Sequence, residues 1–242
     1  NINAGTAKVI IKGKGKYTGT VTKTFTIKPK ALSSTKIKLA ATAYSYNGTS
    51  KTPAIKITHN ENTLKKDTDY TVSYKNNKAI GTATATIKGK GNYTGTKTLT
   101  FKINPARVTS FKQSAEYSAS TIKMSWKKVS GAAGYAVYRG TSKNGTYKLI
   151  KTVTANSCSN SGLKAGSKYY YKVRAYKTVN GKKVYGDYSE SISMSTKPAA
   201  PANLSLTAEG TKAKISWTRT QGMAGYEVYM SAGRDTGYKI IQ

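Results

Sequence analysis

One histidine, one cysteine and nine carboxylates are all that this 242-residue chain offers to acid–base, nucleophilic or metal chemistry. His59 stands in the polar run Thr58-His59-Asn60-Glu61-Asn62, which reads as a turn. A Ser–His or Cys–His site needs a base oriented by a third group, and His59 is the only histidine for that task. Cys158 reads as a small buried hydrophobe rather than a nucleophile. A single cysteine excludes an intramolecular disulfide and any multi-cysteine zinc site. Asp67 and Asp69 are a carboxylate pair, but Lys65 and Lys66 precede them and no further oxygen ligands follow at calcium-loop spacing. They read as turn formers. Gly13-Lys14-Gly15 and Gly89-Lys90-Gly91 lack phosphate-loop spacing and lead into strands, not helices, so they read as hairpin turns. No catalytic residue, cofactor or metal site is expected.

The unusual chemistry is charge. Lys+Arg number 41 against 9 Asp+Glu, a net +32. Residues 1–29 hold 6 basic and no acidic residues, 30–105 hold 13 and 3, 106–198 hold 17 and 3, and 199–242 hold 5 and 3. Solubility of a small domain needs only about 2–8 charges. A field of this size favours anionic polymers, such as cell-wall teichoic acid or acidic host glycans and glycoproteins. It also fits a plain lysine-rich surface. Lys12, Lys14, Lys88 and Lys90 are candidate anion-binding residues, because a repeat places them at equivalent strand ends and turns. Tyr170, in Lys168-Tyr169-Tyr170-Tyr171-Lys172, is a candidate for stacking on a sugar ring. No helix-turn-helix, zinc finger or RNP motif points to specific nucleic-acid binding. No apolar run approaches the ~18 residues of a membrane span, so membrane insertion is not expected.

These residues must be carried by strands. Val, Ile, Tyr and Thr recur at period two, with glycines between the runs. Two internal repeats organise them. Residues 5–29 match 81–105 without gaps at an offset of 76. Ala7, Val9 and Ile11 share one strand face, and Lys8, Ile10 and Lys12 the other. Phe25 and Ile27 are expected to face inward, as are Leu99, Phe101 and Ile103. The second repeat has an offset of 91, matching Trp126 to Trp217, Gly134-Tyr135 to Gly225-Tyr226 and Tyr147-Lys148 to Tyr238-Lys239. Asn180-Gly181 reads as a tight hairpin turn. The fold class is all-β.

Tyr46-Asn47-Gly48, Thr52-Pro53-Ala54-Ile55, Asp67-Thr68-Asp69-Tyr70-Thr71-Val72-Ser73-Tyr74, Asn76-Asn77 and Gly89-Lys90-Gly91-Asn92-Tyr93-Thr94-Gly95-Thr96 resemble the bacterial Ig-like repeats of large surface proteins of gut Firmicutes. The early-strand Trp126, with Leu163, Gly166 and a tyrosine-corner Tyr169, resembles fibronectin type III modules. The chain then divides into the last strands of an Ig-like repeat (1–29), a whole one (30–105), a fibronectin type III domain (106–198) and the start of another (199–242). Joints are short and contain proline, which implies a semi-stiff rod of β-sandwiches within a longer chain. The resemblance implies an extracellular, non-catalytic stalk or adhesin segment of a Gram-positive cell-surface protein. Two alternatives are an accessory region of a large extracellular glycoside hydrolase or wall amidase, and a specific binder of a host immunoglobulin or mucin.

Overall fold

The computed structural model describes residues 3–220, 223–232 and 236–241. Among these there is no α-helix, and none long and apolar enough to cross a membrane. Two compact units appear: residues 1–106 with 177–186, and residues 107–176 with 187–242.

The first unit opens with a hairpin of β1 (Gly5–Lys12) and β2 (Thr20–Ile27), paired from Gly5↔Ile27 to Lys12↔Thr20. A two-residue β3 (Lys30–Ala31) follows. A three-stranded sheet then holds β4 (Lys36–Leu39), β6 (Ile55–His59) and β7 (Asn62–Thr63). The four-stranded sheet runs β5-β11-β9-β8, from β5 (Ala43–Ser45), β8 (Tyr70–Lys75), β9 (Gly81–Gly89) and β11 (Thr96–Asn104). A short β10 (Tyr93–Thr94) pairs in parallel with β3, and β5 pairs in parallel with β11. The core lies between the two sheets. Ile57 and Ile37 come from one, and Ile87, Ala83, Ala85, Phe101 and Ile103 from the other. Tyr44 and Tyr74 meet Phe101 edge-on at 5.7 and 6.4 Å.

The same hairpin sequence therefore occurs twice, in two settings. Ile87 and Phe101 are 0% and 1% exposed, whereas their counterparts Ile11 and Phe25 are 64% and 52% exposed. The inward placement of Phe25 is corrected here. Its face of the sheet is the apolar one, but Val9, Ile11 and Val21 on that face are exposed as Phe25 is. Ala7 alone of that face is fully buried.

The second unit is another pair of sheets. One is β12 (Lys112–Gln113), β13 (Ile122–Ser125) and β16 (Ser157–Asn160). The other contains β14 (Gly134–Gly140), β15 (Lys148–Val153), β19 (Ile192–Ser195) and β17 (Lys168–Val179) as far as Tyr176; the end of β17 and its hairpin partner β18 (Lys182–Tyr185) are grouped with the first unit. Ile122, Met124, Trp126 and Cys158 on one side and Val137, Tyr171, Val173 and Met194 on the other are all buried. The β17–β18 turn has Asn180 and Gly181 both at positive φ (49° and 74°), the backbone that Asn-Gly hairpins favour. Tyr169 accepts a hydrogen bond from the Lys164 amide at 3.1 Å, closing the corner before β17. Beyond lie β20 (Ala202–Glu209), β21 (Lys212–Thr218), β22 (Tyr229–Met230) and β23 (Lys239–Ile240). The 91-residue repeat survives here as geometry. Trp126–Tyr135 and Trp217–Tyr226 both place ring centroids 5.2 Å apart at 67°, with Tyr135 and Tyr226 each accepting a bond from a backbone amide six residues upstream.

These settings predict unequal costs for equal deletions. Phe101→Ala and Trp126→Ala should each lower unfolding free energy by about 3–5 kcal/mol, the range for buried aromatics. Phe25→Ala should leave the denaturation midpoint nearly unmoved. Chemical denaturation of the three variants measures this, and an equal loss from Phe25→Ala would mean that the first hairpin is packed.

Candidate functional site

The two G-K-G turns are the same object twice. The Gly13 amide bonds the Gly19 carbonyl at 3.0 Å, and Gly89 bonds Gly95 at 2.9 Å. A side chain at Gly13 or Gly89 would come within 2.6 Å of backbone atoms of the same turn. Gly15 and Gly91 hold φ of 72° and 62°, and Gly19 and Gly95 hold 98° and 88°. Three glycines per turn are thus demanded by backbone path, not by phosphate binding.

Lys12 and Lys88 sit on the outward face at the ends of β1 and β9, and Lys14 and Lys90 at the turn corners; all four are exposed. Their settings differ in one respect. The Lys90 ammonium donates to the Asp67 carbonyl at 2.6 Å, and its amide bonds the Asp69 carbonyl at 2.9 Å. Asp67 itself lies in the left-handed region, and the Asp69 carboxylate accepts the Lys65 amide at 2.8 Å. The acidic pair is therefore part of the turn before β8. The structure does not bring the two lysine pairs together. Asn92, beside the second turn, receives the Ala4 amide at 2.7 Å. Lys12 lies at the opposite end of β1, about 25 Å further along an extended strand.

His59 closes the β6–β7 hairpin and stacks edge-on with Tyr93 at 6.0 Å. Cys158 is buried, and burial pushes its thiol up while Lys151 opposes this. Among the described residues no group of His, Cys, Asp and Glu is arranged to hold a metal ion.

Tyr170 faces away from the core, half-buried, while Tyr171 beside it is fully buried. A cluster around it went unnoticed in the sequence. Arg174 lies 5.2 Å from the Tyr138 ring centre and 4.6 Å from that of Tyr188, and donates through Nε and Nη2 to the Tyr138 hydroxyl at 3.1 and 2.6 Å. The Lys172 ammonium sits 4.3 Å from the Tyr147 ring centre. Alternation along β17 was the available signal, since Lys168, Tyr170, Lys172 and Arg174 are two residues apart.

No protein-family model matches the chain. It is 31% identical to Exoglucanase B of Cellulomonas fimi over 115 residues, covering 42% of this chain and 10% of that protein. It is 29% identical to Chitinase A1 of Niallia circulans over 131 residues, covering 48% and 18%. It is 35% identical to the mouse fibronectin type III domain-containing protein 7 over 118 residues, covering 48% and 15%. The chain thus spans less than a fifth of each of these relatives. A solved Fn3-like protein from Clostridium thermocellum is 30% identical, with 40% of this chain and 98% of that one covered and a TM-score of 0.34. The chain carries fibronectin type III-like domains.

Tyr171 gives a pH signature. Burial pushes its hydroxyl well above the usual tyrosine range, though the Arg139 charge pulls it down, and it donates to Asn160 Oδ1 at 2.9 Å. The folded state therefore holds the Tyr171 proton more tightly than the unfolded chain does. Its contribution is complete below about pH 10 and is lost as pH rises beyond that. Stability measured from pH 8 to 12 should fall above about pH 10, and less steeply in Tyr171→Phe. Parallel curves for the two proteins would assign the loss to other groups.

Proposed function

We propose that the chain is a non-catalytic structural and adhesive segment of an extracellular bacterial surface protein, with Ig-like repeats before its fibronectin type III-like domains. The observation that carries this reading is the repeat of residues 5–29 at 81–105, which presents a lysine at the corner of each G-K-G turn on otherwise all-β units. Repetition multiplies weak contacts without building a reaction centre. The joints at Pro29-Lys30, Pro105-Ala106 and Lys197-Pro198-Ala199-Ala200-Pro201 are short. The boundaries proposed are 1–29, 30–105, 106–198 and 199–242.

The net +32 would act on anionic wall polymer or acidic glycan through a diffuse field. Similarity to Chitinase A1 and Exoglucanase B favours a second reading, an accessory region of a larger extracellular polysaccharide hydrolase. Both readings place catalysis outside these residues.

Binding to teichoic acid and to heparin across a salt series tests the adhesive reading. Affinity should drop steeply as screening shortens from about 8 Å at physiological salt to about 3 Å at 1 M. Removing Lys12, Lys14, Lys88 and Lys90 should weaken it in step with the charge lost. No binding of either polymer at low salt would leave only a spacer.

A further inference from the structure

The outward face of the five-stranded sheet is organised differently from the rest of the basic surface. On β17 it presents Lys168, Tyr170, Lys172 and Arg174, with about 7 Å between successive positions. Across the sheet, Tyr170 pairs with Gly140 on β14 and Ser193 on β19. Its two cross-strand neighbours are therefore a glycine and a small exposed serine. Gly140 also gives room to Tyr147, whose Cδ1 would lie 3.4 Å from any Cβ added there. Tyr147 in turn carries the Lys172 ammonium over its ring, and its hydroxyl bonds Ser191. On the other side, Arg174 is held between Tyr138 and Tyr188. The Glu190 carboxylate, two residues from Tyr188, is engaged by Arg107. Among the described residues Lys168 and Lys172 pair with no carboxylate.

We propose that this face, with Tyr170 at its centre and Lys168, Lys172 and Arg174 in line beside it, binds an acidic polysaccharide. The exposed part of the Tyr170 ring offers a flat apolar surface to the C–H face of a pyranose. The lysine ammoniums and the guanidinium then meet carboxylates spaced along the same polymer. Lys172 and Arg174 are seated on aromatic rings, so less side-chain freedom is lost when they engage an anion. A linear polymer suits three cations in line along one strand better than a globular acidic partner does. The inference rests on the adhesive reading above but adds a located site to its diffuse field.

The test uses the whole 242-residue chain and two carboxylate polymers of matched charge. Polygalacturonate carries sugar rings; poly-glutamate carries none. The chain should bind polygalacturonate more tightly at physiological salt. Tyr170→Ala, which removes no charge, should weaken polygalacturonate binding roughly tenfold, a 1.4 kcal/mol effect, and leave poly-glutamate binding unchanged. Tyr170→Phe should retain the affinity, which separates stacking from loss of fold. Lys168→Gln/Lys172→Gln should cost more than Lys8→Gln/Lys12→Gln, although both remove two charges. Equal binding of the two polymers, or equal losses from the two lysine pairs, would overturn the site and leave the diffuse field standing. No binding of any anionic polymer would overturn both.

Discussion

A strand that alternates apolar and polar residues must set its apolar face against something. For β9 and β11 that partner is the sheet of β4, β6 and β7, and the closure organises the region between them. It fixes which glycines can turn the chain and which lysines reach solvent. It also sets which tyrosines must be tied by their hydroxyls. Tyr70 and Tyr74 lie within the packed clusters and send their hydroxyls to the Ile55 and Pro53 carbonyls. The hairpin β1–β2 shows the complementary case. Its backbone pairing and its turn are complete, so hydrogen bonding and glycine geometry suffice to define a hairpin. They do not bury Ile11 or Phe25, because burial needs a second layer.

The cationic surface is layered in a similar way. Most lysines sit at outward strand positions and contribute only to a general field, which salt screens. A few are drawn into specific geometry. Lys90 satisfies the carbonyl of Asp67, a residue already in an unfavourable backbone region. Lys172 and Arg174 rest on tyrosine rings. The same residue type thus serves turn architecture in one sheet and an aromatic platform in another. Exposed positive charge by itself does not separate these roles.

Much of this was legible before any coordinates. The run Lys168-Tyr169-Tyr170-Tyr171-Lys172 puts Tyr170 and Tyr171 on opposite faces, because period two is a property of the extended backbone itself. The G-K-G turns and Asn180-Gly181 were readable because glycine and asparagine tolerate positive φ. The inward placement of Phe25 went wrong for a physical reason. Alternation says which residues share a face but not whether anything covers it. The parallel pairs β3–β10 and β5–β11 join segments far apart in the chain, and no local pattern announces them. The Arg174 clamp likewise depends on Tyr138 and Tyr188, residues 36 and 14 positions away that only sheet pairing and the end of a loop bring near. Sequence spacing reported the tyrosines and the arginine separately.

The parallel pairs have a mechanical consequence. Lys30–Ala31 near one end of the sandwich lies beside Tyr93–Thr94, and Ala43–Ser45 lies beside Lys102–Asn104 at the other end. Tension pulling outward at residues 30 and 105 draws β5 and β11 in opposite directions along their shared axis. Their hydrogen bonds lie across that axis, so they are loaded together in shear rather than peeled one at a time. A segment with this topology yields to force only when several bonds fail at once.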